Sequence, residues 1–401
     1  MSTFSVPSPL FPLRATIPMV ASKSESNRAL ILRSLAGADV IQLQNLSAAR
    51  DTRLLEELLE SKEETLNAQD AGTTLRFLTA RCVAANRPAL ITGTPRMCQR
   101  PIGILVEALR EIGAEISYEG EEGFPPLRIH GFTQTSHQLN VQGNVSSQYI
   151  SALLLIAPFL KEGLHITLVG EVASRPYIDM TMGWMKRFGL EVTESGSTLS
   201  VEPQTPVPGT YAVESDWSAA GYWCTVLSLA GEGELLLQHL RDDSLQGDRA
   251  VVELFQELGV KFRFSEDGLH VTSDVRKNSF EADFTPIPDQ AQTFAVCCAG
   301  LGIPARVTGL KSLRIKETDR IAALQTELAK FGCKVKVIGD EEIRLPGTPL
   351  RVEGQTVKTY DDHRMAMAFA PLAVLGDLLV DEKEVVAKSY PSFWEEWAFL
   401  T

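Results

Sequence analysis

Four stretches decide the fold: Ala108-Leu-Arg-Glu-Ile-Gly113-Ala-Glu-Ile-Ser, Trp184-Met-Lys-Arg-Phe-Gly189-Leu-Glu-Val-Thr, Leu254-Phe-Gln-Glu-Leu-Gly259-Val-Lys-Phe-Arg and Glu327-Leu-Ala-Lys-Phe-Gly332-Cys-Lys-Val-Lys. Each reads as the last turn of an amphipathic helix, a Gly where the chain leaves it with positive φ, and an alternating strand. The glycines stand 76, 70 and 73 residues apart. One period before Gly113 lies a strand-like Ile41-Gln-Leu-Gln-Asn, followed by an imperfect copy of the helix over 52–61. One period after Gly332 lies Trp394-Glu-Glu-Trp397. About six units therefore fit into 401 residues, four of them clear. A second helix in each unit opens on small or charged residues and then turns apolar, near Ser24, Gly72, Ser146, Asp216, Asp289 and Asp362. The period is too long for a common solenoid, so each unit is expected to be a small α/β module.

At roughly 150 residues per domain, the length predicts two to three domains. Apolar residues make up 44% and charged residues 22%, the profile of an ordinary globular protein. With 38 basic and 51 acidic side chains the formal charge is -13, the wrong sign for a surface that binds nucleic acid or anionic membrane. An anionic ligand must then be met by a local basic pocket. The longest apolar stretch, Ile150 to Leu160, is too short to span a bilayer and contains Pro158. Six cysteines without a CxxC pair fit neither a disulfide framework nor a zinc site and predict a cytoplasmic protein. The first 17 residues lack the charged start and apolar run of a signal peptide.

No GxxxxGK[ST], HExxH or GxSxG occurs, which removes the P-loop, zincin and α/β-hydrolase readings. Gly300-Leu-Gly302-Ile-Pro-Ala305 matches a dinucleotide fingerprint only formally, since it follows a helix and contains Pro304. The six His are scattered, and no metal site or cofactor is expected. What remains is a pattern at helix starts. Ser22-Lys23-Ser24-Glu-Ser-Asn-Arg28 sets two cations and several hydroxyls at the opening of a helix over 29–35, and free N–H groups with the positive dipole end complete an anion site. Asp70-Ala-Gly72-Thr73-Thr74-Leu-Arg76 repeats the arrangement with a Gly that lets a ligand approach the backbone. Ser146-Ser147-Gln148 offers hydroxyls and an amide. Any one of these could be a plain helix cap, but three in one chain favour anion binding. Further on, Lys316-Glu317-Thr-Asp-Arg320 places Lys316 and Arg320 at i and i+4 of a helical turn, and Asp361-Asp362-His363-Arg364 opens a helix over 365–370. Asp289, after Pro286-Ile-Pro288, heads an apolar helix, where a carboxylate is a cap or a base.

These residues resemble the 5-enolpyruvylshikimate-3-phosphate (EPSP) synthase family. The matching stretches are Ser22 to Leu30, Ala71 to Arg76, Pro95 to Ile102, Val145 to Gln148, Ser174-Arg-Pro-Tyr177, Lys316 to Arg320, Asp362 to Met367 and Ala387 to Pro391, in the family's order. The resemblance implies an α/β (α+β) fold of two similar domains, each of three βαβαββ units in an inside-out barrel, with the active site in the interdomain cleft. It implies crossings near Leu13 to Ala15 and near Val213 to Ser215, giving domains of 14–214 and of 1–13 with 215–401. The implied reaction moves the enolpyruvyl group of phosphoenolpyruvate to the 5-hydroxyl of shikimate 3-phosphate and releases phosphate, in aromatic amino acid biosynthesis. The partners are then small molecules only, with neither nucleic acid nor membrane, and the enzyme is expected to be a monomer inhibited by glyphosate at the phosphoenolpyruvate site.

Carried over residue by residue, the resemblance assigns shikimate 3-phosphate to Lys23, Ser24, Arg28, Ser146, Ser147, Gln148, Ser174, Asp289 and Lys316, with Tyr177 nearby. It assigns phosphoenolpyruvate to Lys23, Gly72, Arg100, Gln148, Arg320, Arg364 and Lys388. Asp289 is the expected general base, assisted by Lys23, and Glu317 the expected group at the methylene carbon, with the division of protons among them left open. Seven cations would answer roughly five to six negative charges of the two substrates in a water-poor site. Three residues depart from the family: Asp70 where Asn is usual, Ser312 where many members have Asn, and Phe77 where Pro is frequent. A sister enolpyruvyl transferase acting on UDP-N-acetylglucosamine shares fold and donor. It lacks the Ser-Ser-Gln and Lys-Glu-Thr-Asp-Arg runs, and its reactive Cys sits in a setting unlike Arg96-Met-Cys98-Gln-Arg100. A non-catalytic anion-binding descendant would first have lost Asp289, Glu317 or Lys23, and all three are present.

Overall fold

The computed structural model describes residues 3–143, 146–172 and 174–401. These form two compact units. One comprises Lys23–Ser47 and Asp51–Val213; the other runs to Ser22 and resumes over Ala48–Arg50 and Glu214–Thr401.

In the first of these, the Lys23 unit, Thr65–Asn67 lies parallel to Ala89–Thr92 through the helix Gly72–Ala84. The helix Gly103–Glu111 follows, and the hairpin Ala114–Tyr118 with Leu127–Phe132 closes antiparallel on Ala89–Thr92. The same path recurs through Gln138–Gln142, helix Ser147–Ile156, Leu164–Val169, helix Arg175–Arg187, and Thr193–Ser195 with Thr198–Val201. A third sheet is reduced to the parallel pair Ile41–Gln44 and Gly209–Ala212.

The Asp289 unit repeats the plan. Arg14–Ile17 lies parallel to Glu234–Gln238, which carries the hairpin Val260–Ser265 with Gly268–Ser273. Phe280–Asp283, Pro304–Thr308, Lys336–Ile338 and Glu342–Pro346 make the next sheet, with helices Ala291–Leu301 and Arg320–Lys330 between them. In the last, Gln355–Val357 lies parallel to Leu378–Val380, and Phe4–Val6 joins the latter antiparallel. The six expected modules are present, four with the full βαβαββ path.

The register of the repeat is set where each amphipathic helix ends. Gly113, Gly189, Gly259 and Gly332 all have positive φ, at 109°, 73°, 83° and 90°. At Gly113 a β-carbon would come within 2.0 Å of the Thr133 carbonyl, so no side chain fits there. The other helix type lies in the middle of each unit. Residues 25–32, 149–156, 219–229 and 291–299 are buried at every position, and a helix without a solvent face belongs inside. Along Gln138–Gln142, Leu164–Val169 and Glu234–Gln238 buried residues alternate with more exposed ones, so one face of each strand turns to the core.

One expected boundary is corrected. The strand Arg14–Ile17 pairs with Glu234–Leu237 and so belongs to the Asp289 unit; the first crossing falls after Ser22, not near Leu13 to Ala15. The cause is a strand pairing across some two hundred residues that no local pattern announces. The second division falls between Val213 and Glu214.

Candidate active site

Lys23, Ser24, Gly72, Ser146 to Gln148, Asp289 and Arg364 sit at the starts of buried helices, and the other candidates lie in adjoining turns and segments. In the Lys23 unit the helix begins at Lys23 itself, six residues earlier than its apolar run suggests, because the small and polar Ser24 to Asn27 are themselves helical and buried or half-buried. Lys23 Nζ lies 3.1 Å from Asp51 Oδ2, and the Asp51 carbonyl accepts the Thr74 hydroxyl at 3.1 Å, which ties this start to that of the helix Gly72–Ala84. Arg28 is therefore a second-turn residue, 3% exposed, rather than a flank of the helix start. Its guanidinium donates to Thr181 Oγ1 (2.8 Å), the Ser24 carbonyl (2.8 Å), the Tyr177 carbonyl (3.1 Å) and Ser151 Oγ (3.4 Å), and it lies 5.5 Å from the Phe77 ring centroid. Burial pushes its pKa down to about 10, so it stays charged at neutral pH.

Gly72 opens its helix beneath two guanidinium groups. A methyl there would come within 2.7 Å of Arg100 Nη1 and 2.9 Å of Arg76 Nη1. Arg76 is held by the Gly72 and Pro101 carbonyls, both at 2.9 Å, and lies 5.5 Å from the centroid of Tyr149. Gln148 donates to Thr73 Oγ1 at 3.1 Å, which brings the Ser146-Ser147-Gln148 start beside Gly72. Ser146 caps its helix and Ser147 lies in the first turn; Val145, at the head of that motif, falls outside the described residues. Ser174 precedes Arg175–Arg187 in the left-handed region, at φ 53°, and its side chain makes no capping bond. A non-glycine residue held there stores strain, a frequent mark of a binding position.

The Asp289 unit gathers the rest. Asp289, in a single turn ahead of Ala291–Leu301, accepts from Arg320 Nη1 (2.9 Å), Lys316 Nζ (3.1 Å) and Arg364 Nη2 (3.3 Å). Burial pushes its carboxyl up, but Arg364, Lys316 and Arg320 together outweigh this and hold it well below the usual carboxylate range. Burial likewise lowers the Lys316 ammonium, opposed by Asp289. Arg320 is 2% exposed and also donates to Asp362 Oδ2 (2.7 Å) and Glu317 Oε2 (3.1 Å). Desolvation works against its charge, yet these carboxylates raise its pKa. Glu317 Oε1 lies 4.0 Å from Lys388 Nζ. Arg364 also donates to the Asp289 carbonyl (3.2 Å) and to the Tyr222 hydroxyl (3.4 Å).

Lys316 and Arg320 do not share a helix as their spacing suggests. Asp319 caps the helix, accepting the Ile321 and Ala322 amides at 3.1 Å, so it starts at Arg320 and leaves Lys316 extended. The two cations meet on Asp289 Oδ1 instead. The helix expected over 365–370 opens earlier, at His363, with Asp362 as cap. Asp362 is the main residue the sequence reading missed: its cap bond was legible, but its grip on Arg320, 42 positions away, was not. Asp51, Thr181, Ser151 and Tyr222 were missed for the same reason. Of the departures, Phe77 is fully buried beneath Arg28, Ser312 lies half-buried in the turn Lys311–Ile315, and Asp70 stands two residues before the helix Gly72–Ala84, whose cap position is Ala71. Among the described residues, no three His, Cys, Asp or Glu side chains are grouped to hold a metal ion, and no helix is long and apolar enough to cross a membrane.

Helix starts carrying hydroxyls and an amide, together with cation clusters around Gly72 and Asp289, describe a protein suited to hold compact oxyanions. The model of the family EPSP synthase (3-phosphoshikimate 1-carboxyvinyltransferase) matches residues 55–397. A 3-phosphoshikimate 1-carboxyvinyltransferase of Bacteroides fragilis is 47% identical over 394 residues, covering 96% of this chain and 94% of that one. One from Janthinobacterium is 34% identical over 430 residues, with 98% and 96% covered. The fold matches a solved EPSP synthase of Acinetobacter baumannii with a TM-score of 0.76 at 19% identity, over 100% of this chain and 98% of that one. The chain belongs to the EPSP synthase family.

Proposed function

We propose that the chain carries out the reaction of its family, transfer of the enolpyruvyl group from phosphoenolpyruvate to the 5-hydroxyl of shikimate 3-phosphate, with the residues assembled above. Lys23, Ser24, Arg28, Ser146, Ser147, Gln148 and Ser174 take the phosphorylated acceptor, joined by Asp289 and Lys316 at its reacting hydroxyls. Lys23, Gly72, Arg100, Gln148, Arg320, Arg364 and Lys388 take phosphoenolpyruvate. Arginine suits this second set because a planar fork meets carboxylate or phosphate with two parallel bonds.

The observation that carries the reading is Asp289 surrounded by Lys316, Arg320 and Arg364. Three cations make a carboxylate a weak base while they face it alone. A bound phosphate and carboxylate draw the same cations onto themselves, which raises the proton affinity of Asp289 when both substrates are in place. Asp289 then takes the proton of the 5-hydroxyl as its oxygen bonds to the central carbon of phosphoenolpyruvate, assisted by Lys23. The methylene carbon gains a proton, giving a tetrahedral ketal. Loss of a proton from the resulting methyl group, with departure of phosphate, restores the double bond. Glu317 is the group assigned to that carbon. Within this reading the enzyme is cytoplasmic and monomeric, and meets small molecules only.

Phosphate release with both substrates present tests it. Turnover that requires both is expected; release with UDP-N-acetylglucosamine in place of shikimate 3-phosphate would assign the chain to the sister reaction, and no release with either acceptor would leave an anion-binding protein.

A further inference from the structure

Behind Lys388 lies a buried carboxyl that the reaction does not use. Lys388 ends the turn Lys383–Lys388 and is 2% exposed. Two residues on, the Tyr390 amide donates to the Val386 carbonyl at 2.8 Å, so Tyr390 and the turn bearing Lys388 move as one piece. The Tyr390 hydroxyl donates to the Glu396 carboxylate and accepts Trp223 Nε1 at 3.2 Å. Ser392 Oγ donates to the other Glu396 oxygen at 2.6 Å. Tyr390 is 1% and Glu396 4% exposed, packed among Trp223, Phe393 and Trp397. Trp223 adjoins Tyr222, which holds Arg364 from the same helix.

We propose that the Tyr390–Glu396 pair positions Lys388, and that ionisation of Glu396 loosens the hold of Lys388 on phosphoenolpyruvate. The inference rests on the assignment of Lys388 to phosphoenolpyruvate made above. Among the described residues the Glu396 carboxyl has hydroxyl partners but no cation. The titratable groups acting on the pair are Glu395, on the same helix as Glu396, and Asp216 at the start of the Trp217–Ala230 helix, neither of them positive. Burial pushes Glu396 up to about 7, against the Ser392 and Tyr390 hydrogen bonds that favour the anion. Charge appearing there has only rings and hydroxyls to face, and the readiest relief is outward movement of the segment 389–396. Lys388 moves with that segment.

The test is the KM for phosphoenolpyruvate between pH 6 and 8.5 on the full chain, at saturating shikimate 3-phosphate. Ionisation of the substrate itself affects every variant alike. The wild-type KM is expected to rise with pH more than that of Glu396→Gln, by on the order of fivefold across the range. Tyr390→Phe, which keeps the ring and removes the hydroxyl, is expected to flatten the profile too, and it carries the test if the Gln variant does not fold. Parallel profiles in wild type and both variants would overturn the proposal. Lys388→Met separates the two ideas: if it leaves the KM for phosphoenolpyruvate unchanged, the assignment of Lys388 fails, whatever the pH profiles show.

Discussion

In the Lys23 unit, the buried Arg28 rests on neutral groups: two carbonyls, two hydroxyls and an aromatic ring. In the Asp289 unit, Arg320 rests on three carboxylates, those of Asp289, Glu317 and Asp362. These contacts are neutral, and the Glu25 carboxylate nearby favours the charge of Arg28 through space, so the guanidinium is less tightly neutralised than that of Arg320. Arg320 is already neutralised, and a ligand gains from it only by displacing Asp289 or Glu317. What a ligand wins from the second cluster is therefore less affinity than a change in the carboxylates it releases. In the reading proposed above, the binding side and the reacting side differ in what backs their buried arginines, not in how many cations they hold.

The sharpest way to break this distinction is Asp289→Ala. Turnover is expected to fall about 10²- to 10⁴-fold, the usual cost of losing a positioned base, while calorimetric binding of shikimate 3-phosphate stays largely intact. Retention of more than half the wild-type rate would show that the carboxylate merely balances charge.

Gly72→Ala probes the neutral side. The new methyl must push Arg100 aside, and one methyl in a filled site costs about tenfold or more, here as a raised KM for phosphoenolpyruvate. Glyphosate, longer than the substrate, is expected to lose more; equal inhibition constants for wild type and variant would remove Gly72 from the donor site.

A smaller effect separates the units by pH. Burial, only partly offset by the Ser218 hydroxyl, pushes Asp248 in the Asp289 unit up to about 6 from an ordinary 3.8. The folded chain then holds a proton that the unfolded chain has released, so stability is greatest below about pH 4 for this group and is lost as pH rises toward 6. Asp248→Asn is expected to remove that loss, on the order of 2 kcal/mol, in urea titrations at pH 4 and 7. An unchanged difference between the two pH values would place the effect elsewhere. Least of all should chelation matter: Arg and Lys answer the substrate charge, so full activity after exhaustive chelator treatment is expected, and rescue of lost activity by one divalent ion would contradict the assignment.

How far the sequence could be read depended on distance along the chain. The helix starts at Gly72, Ser146 and Asp216 and the four glycine exits were legible because caps and left-handed turns are settled within about five residues. The six modules followed from their repetition. The strand Arg14–Ile17 was misplaced because its partner, Glu234–Leu237, is remote. Arg28 was read as a cation at a helix opening; that it is buried on Thr181 and beside Phe77 was not legible, since nothing near it announces either. Asp289 was recognised as a candidate base, but its three cations come from two remote segments, Lys316 to Arg320 and Arg364, so its depressed pKa had no sequence signal.

The strand Phe4–Val6 pairs with Leu378–Val380, so the last sheet of its unit cannot be completed until almost the whole chain exists. The Lys23 unit, by contrast, is nearly continuous and finished by Val213. During synthesis, at about 5 to 20 residues per second, the Lys23 unit can fold while the first strands made wait for partners some 220 to 370 residues later. For on the order of ten seconds or more the nascent chain holds a finished lobe flanked by unpaired strand edges. Occupancy of those edges by a chaperone, or by another nascent chain, is the moment at which this architecture is most exposed to misassembly.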